Sequence, residues 1–461
     1  MGAAHEVSGF TDAAAFGFAP EASASVNVAA LQLALDQGGT VVVSQPGTYD
    51  LNATVLIGSN TGLRCAQGVV LRKCGDFSHV LLNRGALSKS WDHHIVVEGL
   101  HIAVNGVDKV FDEIYGLRGQ IAFFYVSDLR IERFRCYDLE SQQFCIHVCT
   151  FEDLIVDDVI IHGAKDGVHL GRGKRFAIRN CVFATTDDAV ALNAHDYATS
   201  NPELGWIEDG VVENCHDLAD EGKIVGFFCR FLAGSWGDWR AGMEVQHSDS
   251  VVSEGRVYRV QAKPDGTLYT SQTQPTHTNG SAVLDGINWG VVQNDVQYVA
   301  GVRNVTMRGI FLHKARTAFS MHFDAGRYSR GYYPGSAPVS QDGLRFEGVR
   351  VLHESDATLL NFGTPADVVS FSNCDIGDHK VRVHNRSQVP AGGASWLRFQ
   401  GCTFRHAGPH TGPHAVVELA DPGRDIHLRV TDSAVLSADY QAEVTGDLEL
   451  LDCQADLPGL C

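Results

Sequence analysis

Three aspartates stand at a spacing that can do acid–base chemistry. Asp166 lies in Lys165-Asp166-Gly167-Val168-His169-Leu170, and Asp187 and Asp188 open Asp187-Asp188-Ala189-Val190-Ala191-Leu192. The segments are offset by 22 residues, so Asp166 and Asp188 hold equivalent places and Asp187 is next door. Ile146-His147-Val148 precedes Val168-His169-Leu170 by another 22 residues. A repeat of about 20–30 residues built from short apolar runs marks a solenoid, in which stacked strands bring equivalent positions about 4.8 Å apart. Carboxylates that close repel one another, so one is held protonated beside ionised partners. An acid and a base side by side are what hydrolysis of a glycosidic bond requires. The competing reading of the same aspartates is a set of turn caps or a structural calcium site.

The elements that must position them follow from the apolar pattern. From about residue 90 each coil carries two alternating apolar residues and a third close behind: Ile95-Val97-Leu100, Leu129-Ile131-Phe134, Leu154-Val156-Val159 and Phe176-Ile178-Cys181. The pattern resumes at Val305-Met307-Ile310, Leu344-Phe346-Val349, Val369-Phe371-Cys374 and Leu397-Phe399-Cys402, with Leu448-Leu450-Cys453 expected to close the stack. Alternation with period two means strand with one face inward. The fold expected is all-β: a right-handed single-stranded parallel β-helix. A left-handed helix would need a period of about 18 residues. Val28, Leu31 and Leu35 have helical spacing and precede Gly38-Gly39, which predicts a helical N-terminal cap over the first open coil. The pattern is lost over about 197–300, where Trp206, Trp236, Trp239 and Trp289 fall, so an inserted β-rich subdomain is expected there. Its tryptophans would either stack on sugar rings or form a small core. The expected divisions are 1–75 for the cap and first coils, 76–196 for the first half of the helix, 197–300 for the insertion and 301–461 for the second half.

Composition narrows the function. The formal charge is −19, which disfavours nucleic acid and anionic membrane surfaces, since both are bound through Lys and Arg. No apolar run reaches the roughly 18 residues of a membrane span. The start Met1-Gly2-Ala3-Ala4-His5 has neither the basic nor the apolar region of a signal peptide. That leaves a cytoplasmic protein, or a secreted or periplasmic one whose leader has been removed. The 12 cysteines include no Cys-x-x-Cys pair, so a zinc knuckle or redox motif is not expected. Cys181, Cys374, Cys402 and Cys453 share one place in the repeat and read as buried core. No cofactor and no metal are expected, and the oligomeric state is open.

Lys165-Asp166-Gly167 with Asp187-Asp188 one coil later resembles the polygalacturonase-type glycoside hydrolases of the pectin-lyase-like β-helix superfamily, which carry Asn-Thr-Asp-Gly and then Asp-Asp. The stretch from Asn27 to Tyr49 is also similar to the cap of those proteins. The resemblance implies an inverting hydrolase with Asp187 as general acid, while Asp166 and Asp188 position and deprotonate water. It departs elsewhere. The family's Gly-His-Gly is replaced by the insertion, and its Arg-Ile-Lys, which meets a uronate, aligns with Ser320-Met321-His322. That favours a neutral, galacto-configured sugar, although Lys314 and Arg316 lie close in sequence and could compensate. His169, Asn193, His195, Arg316, His322 and Asp324 are the expected substrate-binding residues. A β-helix with a β insertion behind the Asp pair also resembles the α-1,3-galactosidases of this fold.

Two other readings compete with the hydrolase. A polysaccharide lyase or C5-epimerase needs a cation against a uronate, and Lys165 is expected to point away if Asp166 points out. A non-catalytic, tailspike-like binding protein would show a long repetitive stem, and none is visible in the sequence.

Overall fold

The computed structural model describes residues 9–450 except 110–113, 220–223, 356, 378, 391–392, 406–416, 421–423 and 437–440. The chain winds as a right-handed parallel β-helix, the hand that crossovers between parallel strands almost always take. Among the described residues, parallel pairing of short strands from successive coils forms its walls. They run as three ladders. The first passes through Gly39–Val43, Thr61–Cys65, Asp92–Glu98 and on to Gly173–Arg179, Ile207–Asp217 and Val302–Leu312. The second includes Arg135–Leu139, Ile160–Gly163 and Val182–Thr185. The third includes Phe144–Asp157, Val168–Leu170, Val190–Asn193, Cys229–Ser235, Phe319–Phe323 and Leu360–Phe362. The 22-residue offset is the physical register: Ile146 pairs Val168, and Val168 pairs Val190.

Inward residues of successive coils stack into one core. Phe346 lies flat on Phe371 at 4.6 Å and Phe371 on Phe399 at 4.9 Å. Cys181, Cys374 and Cys402 are buried there, and the described cysteines are free thiols; Cys453 lies outside the described residues. The helix Ala24–Leu35 covers the N-terminal end, burying Leu31, Ala34 and Leu35. Its Gln32 amide donates to the Leu56 carbonyl at 3.0 Å and accepts from the Leu56 N–H at 2.8 Å, satisfying a strand edge that would otherwise template aggregation. The other end differs from the expectation: Gln441–Leu450 runs antiparallel to Ile426–Leu436, with Leu450 opposite Leu428, and ends the stack as a hairpin partner.

The insertion is narrower than the 197–300 expected. Ile207–Asp217 and Cys229–Ser235 are coil strands in full register with their neighbours. The first hid because Gly210 stands where other coils have an inward apolar residue, opposite Phe176 and Val305. A Cβ there would lie 2.1 Å from the Phe176 ring, so the ring fills the space itself. The inserted unit is a five-stranded sheet running from Gly237–Asp238 to Ile287–Gln293, with the pair Met243–Val245 and Tyr269–Ser271. It has its own core around Val245, Tyr258, Val260 and Trp289. Trp236 and Trp289 are buried and the partly buried Trp239 packs on that core, so these rings build structure. No helix among the described residues is long and apolar enough to cross a membrane.

Candidate active site

The aspartates sit in stacked turns between the second and third ladders. Asp166 follows Ile160–Gly163, and Asp187 and Asp188 follow Val182–Thr185. Backbone bonds lock the turns one on another: Gly167 N–H to the Asp188 carbonyl at 2.9 Å, Thr186 N–H to Gly163 at 2.9 Å and Ala189 N–H to Phe227 at 3.0 Å. Gly226 packs on the Asp pair so closely that a Cβ would meet the Asp188 nitrogen at 2.5 Å. One oxygen of each carboxylate lies within 4.8 Å of the others. Asp166 and Asp188 are 0% exposed and Asp187 is 9% exposed, so Asp187 alone reaches the surface.

Two cations hold this cluster. Lys165 ion-pairs with Asp187. Arg230, from Cys229–Ser235, meets Asp188 at 2.7 Å. The expectation that Lys165 points away is therefore wrong. Strand alternation does not govern a turn, and the flexible stem of Lys165 reaches into the next coil. Arg230 was missed because its strand lay in the stretch read as insertion. Together the two cations supply the double positive charge that a divalent ion would bring to three carboxylates.

Burial, reinforced by the Asp187 charge, pushes Asp166 up to about 7. Burial pushes Asp188 up to about 8 in spite of Arg230. Burial acts on Asp187 in the same direction, but Lys165 and then Arg230 outweigh it and hold its carboxyl below the ordinary range. At neutral pH Asp187 is thus the ionised member, while Asp188 favours its proton and Asp166 stands near its midpoint. This is the reverse of the resting state implied by Asp187 as acid, because both cations act on the carboxylate nearest the surface.

Beside the trio opens a cleft of about 400 Å³, lined among others by Tyr197, Phe227, Arg230, His322, Asp324 and Tyr328. The aspartates are not in its lining; Arg230 and Phe227, which touch Asp188, connect the two, with the Phe227 N–H donating to Asp188 at 2.9 Å. His322 and Asp324 face the cleft as a pair 3.4 Å apart, and Ser320 contacts His322 Nδ1 at 2.9 Å.

The other expected binding residues lie behind the wall. His169 is buried, with Nδ1 2.8 Å from Asp166, and burial lowers its pKa to about 3, so a neutral ring orients the carboxyl. Asn193 donates to Asp196 at 2.7 Å. His195 is buried beside Trp236, its rings 5.8 Å apart, and burial lowers its pKa to about 3. Arg316 is spent on Asp217, at 2.6 and 2.9 Å, and donates to the Asp187 carbonyl at 2.7 Å. Lys314 is buried and donates to the Thr185 carbonyl. Arg316 and Lys314 brace the backbone of the Asp pair and are not in the cleft lining.

Fold and site together define a parallel β-helix with a cation-buffered carboxylate cluster at the edge of a cleft. No family model matches the sequence, and no curated protein matches it. Solved structures match in fold. An exopolygalacturonase from Thermotoga maritima is 10% identical, with TM-score 0.42 over 96% of this chain and 95% of that one. A mannuronan C-5 epimerase module from Azotobacter vinelandii is 11% identical, with TM-score 0.48 over 93% of each chain. The tailspike of an E. coli bacteriophage, solved with a hexasaccharide, is 10% identical, with TM-score 0.46 over 92% of this chain and 64% of that one.

Proposed function

We propose that the protein is a glycoside hydrolase whose acid and base both come from the trio Asp166, Asp187 and Asp188. The observation that carries this reading is three carboxylates within 4.8 Å of one another at the edge of a cleft, two pushed up by burial and one held down by Lys165 and Arg230. Asp187 is the member within reach of a glycosidic oxygen, and the protonated carboxyls beside it are its proton source. The proton passed to the leaving oxygen is returned to the cluster from the attacking water, so hydrolysis leaves the site unchanged. Inversion is proposed on the resemblance to the polygalacturonase type. The spacing of the three carboxylates is tighter than the roughly 6.5–9.5 Å usual for inverting pairs, so the anomer of the first product is a direct test.

The sugar at the cleaved bond is proposed to be neutral, and galacto-configured as the family resemblance implies. Ser320 and His322 stand where the family has its basic pair, and Lys165 is held by Asp187. A buried carboxylate without a cationic partner is strongly penalised. Reducing-sugar release from neutral α-galactosides and from polygalacturonate, with Asp187→Asn as control, tests this. Loss of at least about 10²–10³ in kcat is expected for the variant. Near-normal turnover would reject the assignment.

One observation favours a second reading. A lyase or epimerase needs a base with cations beside it, and Lys165 and Arg230 bring two cations to the trio. Absorbance of an unsaturated uronate, without reducing-sugar release from neutral glycosides, would select it.

A further inference from the structure

A short segment of the insertion, 244–249, bonds to the loop after Asp324, part of which lines the cleft. The Ser248 hydroxyl, fully buried, accepts from the Ala198 N–H at 2.6 Å and donates to the Tyr328 carbonyl at 3.0 Å. A single side chain thus ties the loop behind the Asp pair to the loop that follows Asp324. Further bonds reinforce the second loop. Arg330 Nε meets Asp249 at 3.0 Å, the Gln246 amide donates to the Gly326 carbonyl at 2.8 Å, and the Tyr333 hydroxyl donates to the Glu244 carbonyl at 3.0 Å. On the first loop's side, buried Arg259 of the insertion donates to the Asn201 carbonyl at 2.9 Å.

These ties bring Tyr197 and Tyr328 together, ring centroids 6.2 Å apart. Tyr197 follows directly on Asp196, and the guanidinium of Arg118 lies 5.8 Å from its ring centroid. Among the described residues lining the cleft, none precedes Tyr197. The lining continues in the other direction, through Ser320, Asn361 and His384, which belong to later coils. The lining therefore runs from the coil after the Asp pair toward later coils, and Tyr197 and the half-exposed Tyr328 stand paired at its early-coil end.

We propose that the inserted subdomain is a clamp that makes the site act on chain ends, with segment 244–249 holding the Tyr197–Tyr328 wall beside the catalytic carboxylates. The wall leaves room for terminal sugar units on the trio's side of the bond and bars a polymer from running through. Tyr328 is the specificity-determining residue, and Ser248 is a positioning residue that acts through it. The proposal rests on the hydrolase reading above.

The test uses the full chain and six-unit oligosaccharides labelled at the reducing end, neutral galacto- and uronate-based, in α and β linkages. The wild type should shorten a ladder stepwise, each labelled product one or two units shorter than the last. Tyr328→Ala should yield mixed internal products from the first time point. Ser248→Ala should do the same more weakly, together with faster amide exchange over 325–333 and unchanged exchange in the coils. Mixed products from the wild type at the outset would overturn the clamp and leave the hydrolase reading standing. So would unchanged exchange over 325–333 in Ser248→Ala. No cleavage of any ladder by the wild type would reject the hydrolase reading, and chain-end action with it.

Discussion

Replacing Asp166 with asparagine should make the protein more stable and less active, and the gain should depend on pH in a defined way. The Asp166 carboxyl is fully buried, and burial with the neighbouring Asp187 charge raises it from 3.8 to about 7. A carboxyl with a raised pKa in the folded state binds its proton more tightly there than in the unfolded chain. Below pH 4 both states are protonated and nothing is lost. Between about pH 4 and 7 the unfolded chain ionises while the folded one does not, so stability falls as pH rises. Above about 7 the full cost is present. A shift of about three units corresponds to about 4 kcal/mol, at about 1.4 kcal/mol per unit. Asparagine keeps the shape, can bond His169 Nδ1 as either donor or acceptor and does not ionise, so it removes that cost. Thermal melts of wild type and variant from pH 4 to 9 check this. The curves should coincide near pH 4, and the variant should lie several degrees higher by pH 8, while reducing-sugar release collapses. A variant that melts below the wild type at pH 8, or a gap that does not change with pH, would show that Asp166 is not held as a neutral acid.

Other expectations concern the cations, the coil and the product. Arg230→Met leaves Asp188 buried without its partner, which costs about 3–5 kcal/mol when a charge is stranded; denaturant melts at pH 9, where Asp188 must ionise, should show a larger loss than melts at pH 5. Gly210→Ala drives a methyl into the Phe176 ring and should cost about 1–3 kcal/mol of overpacking, with Phe176→Leu in the same chain restoring part of the melting temperature. If the inversion implied by the resemblance holds, nuclear magnetic resonance of the first product should show the anomer opposite to the substrate's; the substrate's own anomer would make one of the three carboxylates a nucleophile and overturn it.

The carboxylate cluster was legible because the repeat is short and uniform where it matters. Two adjacent coils of 22 residues place Asp166 over Asp188, and Val168 and Val190 turn inward beneath them. The cap was legible for a similar reason: Leu31 and Leu35 share a helical face that must bury against something. Of the candidate binding residues, His322 was named through alignment with a family position and Asp324 by its place on the coil after the insertion, and both line the cleft; His169, Asn193, His195 and Arg316 carry polar chemistry on buried sides of the chain. Nothing in their local sequence says which way they face.

The amino-acid sequence alone determined the stack, because inward apolar residues recur with the coil and every strand pairs in register with its equivalent. The tertiary structure decided which charges meet. Arg230 reaches Asp188 only because Ala191 pairs with Arg230 across a longer coil than the 22-residue one before it. Lys165 reaches Asp187 only through a turn whose geometry strand alternation does not describe. The resting charge of the trio, and the bonds by which the inserted sheet grips two loops beside it, depend on burial and on contacts between segments far apart in the chain. A repeat specifies its own register, but not the partners that irregular coils and insertions bring to it.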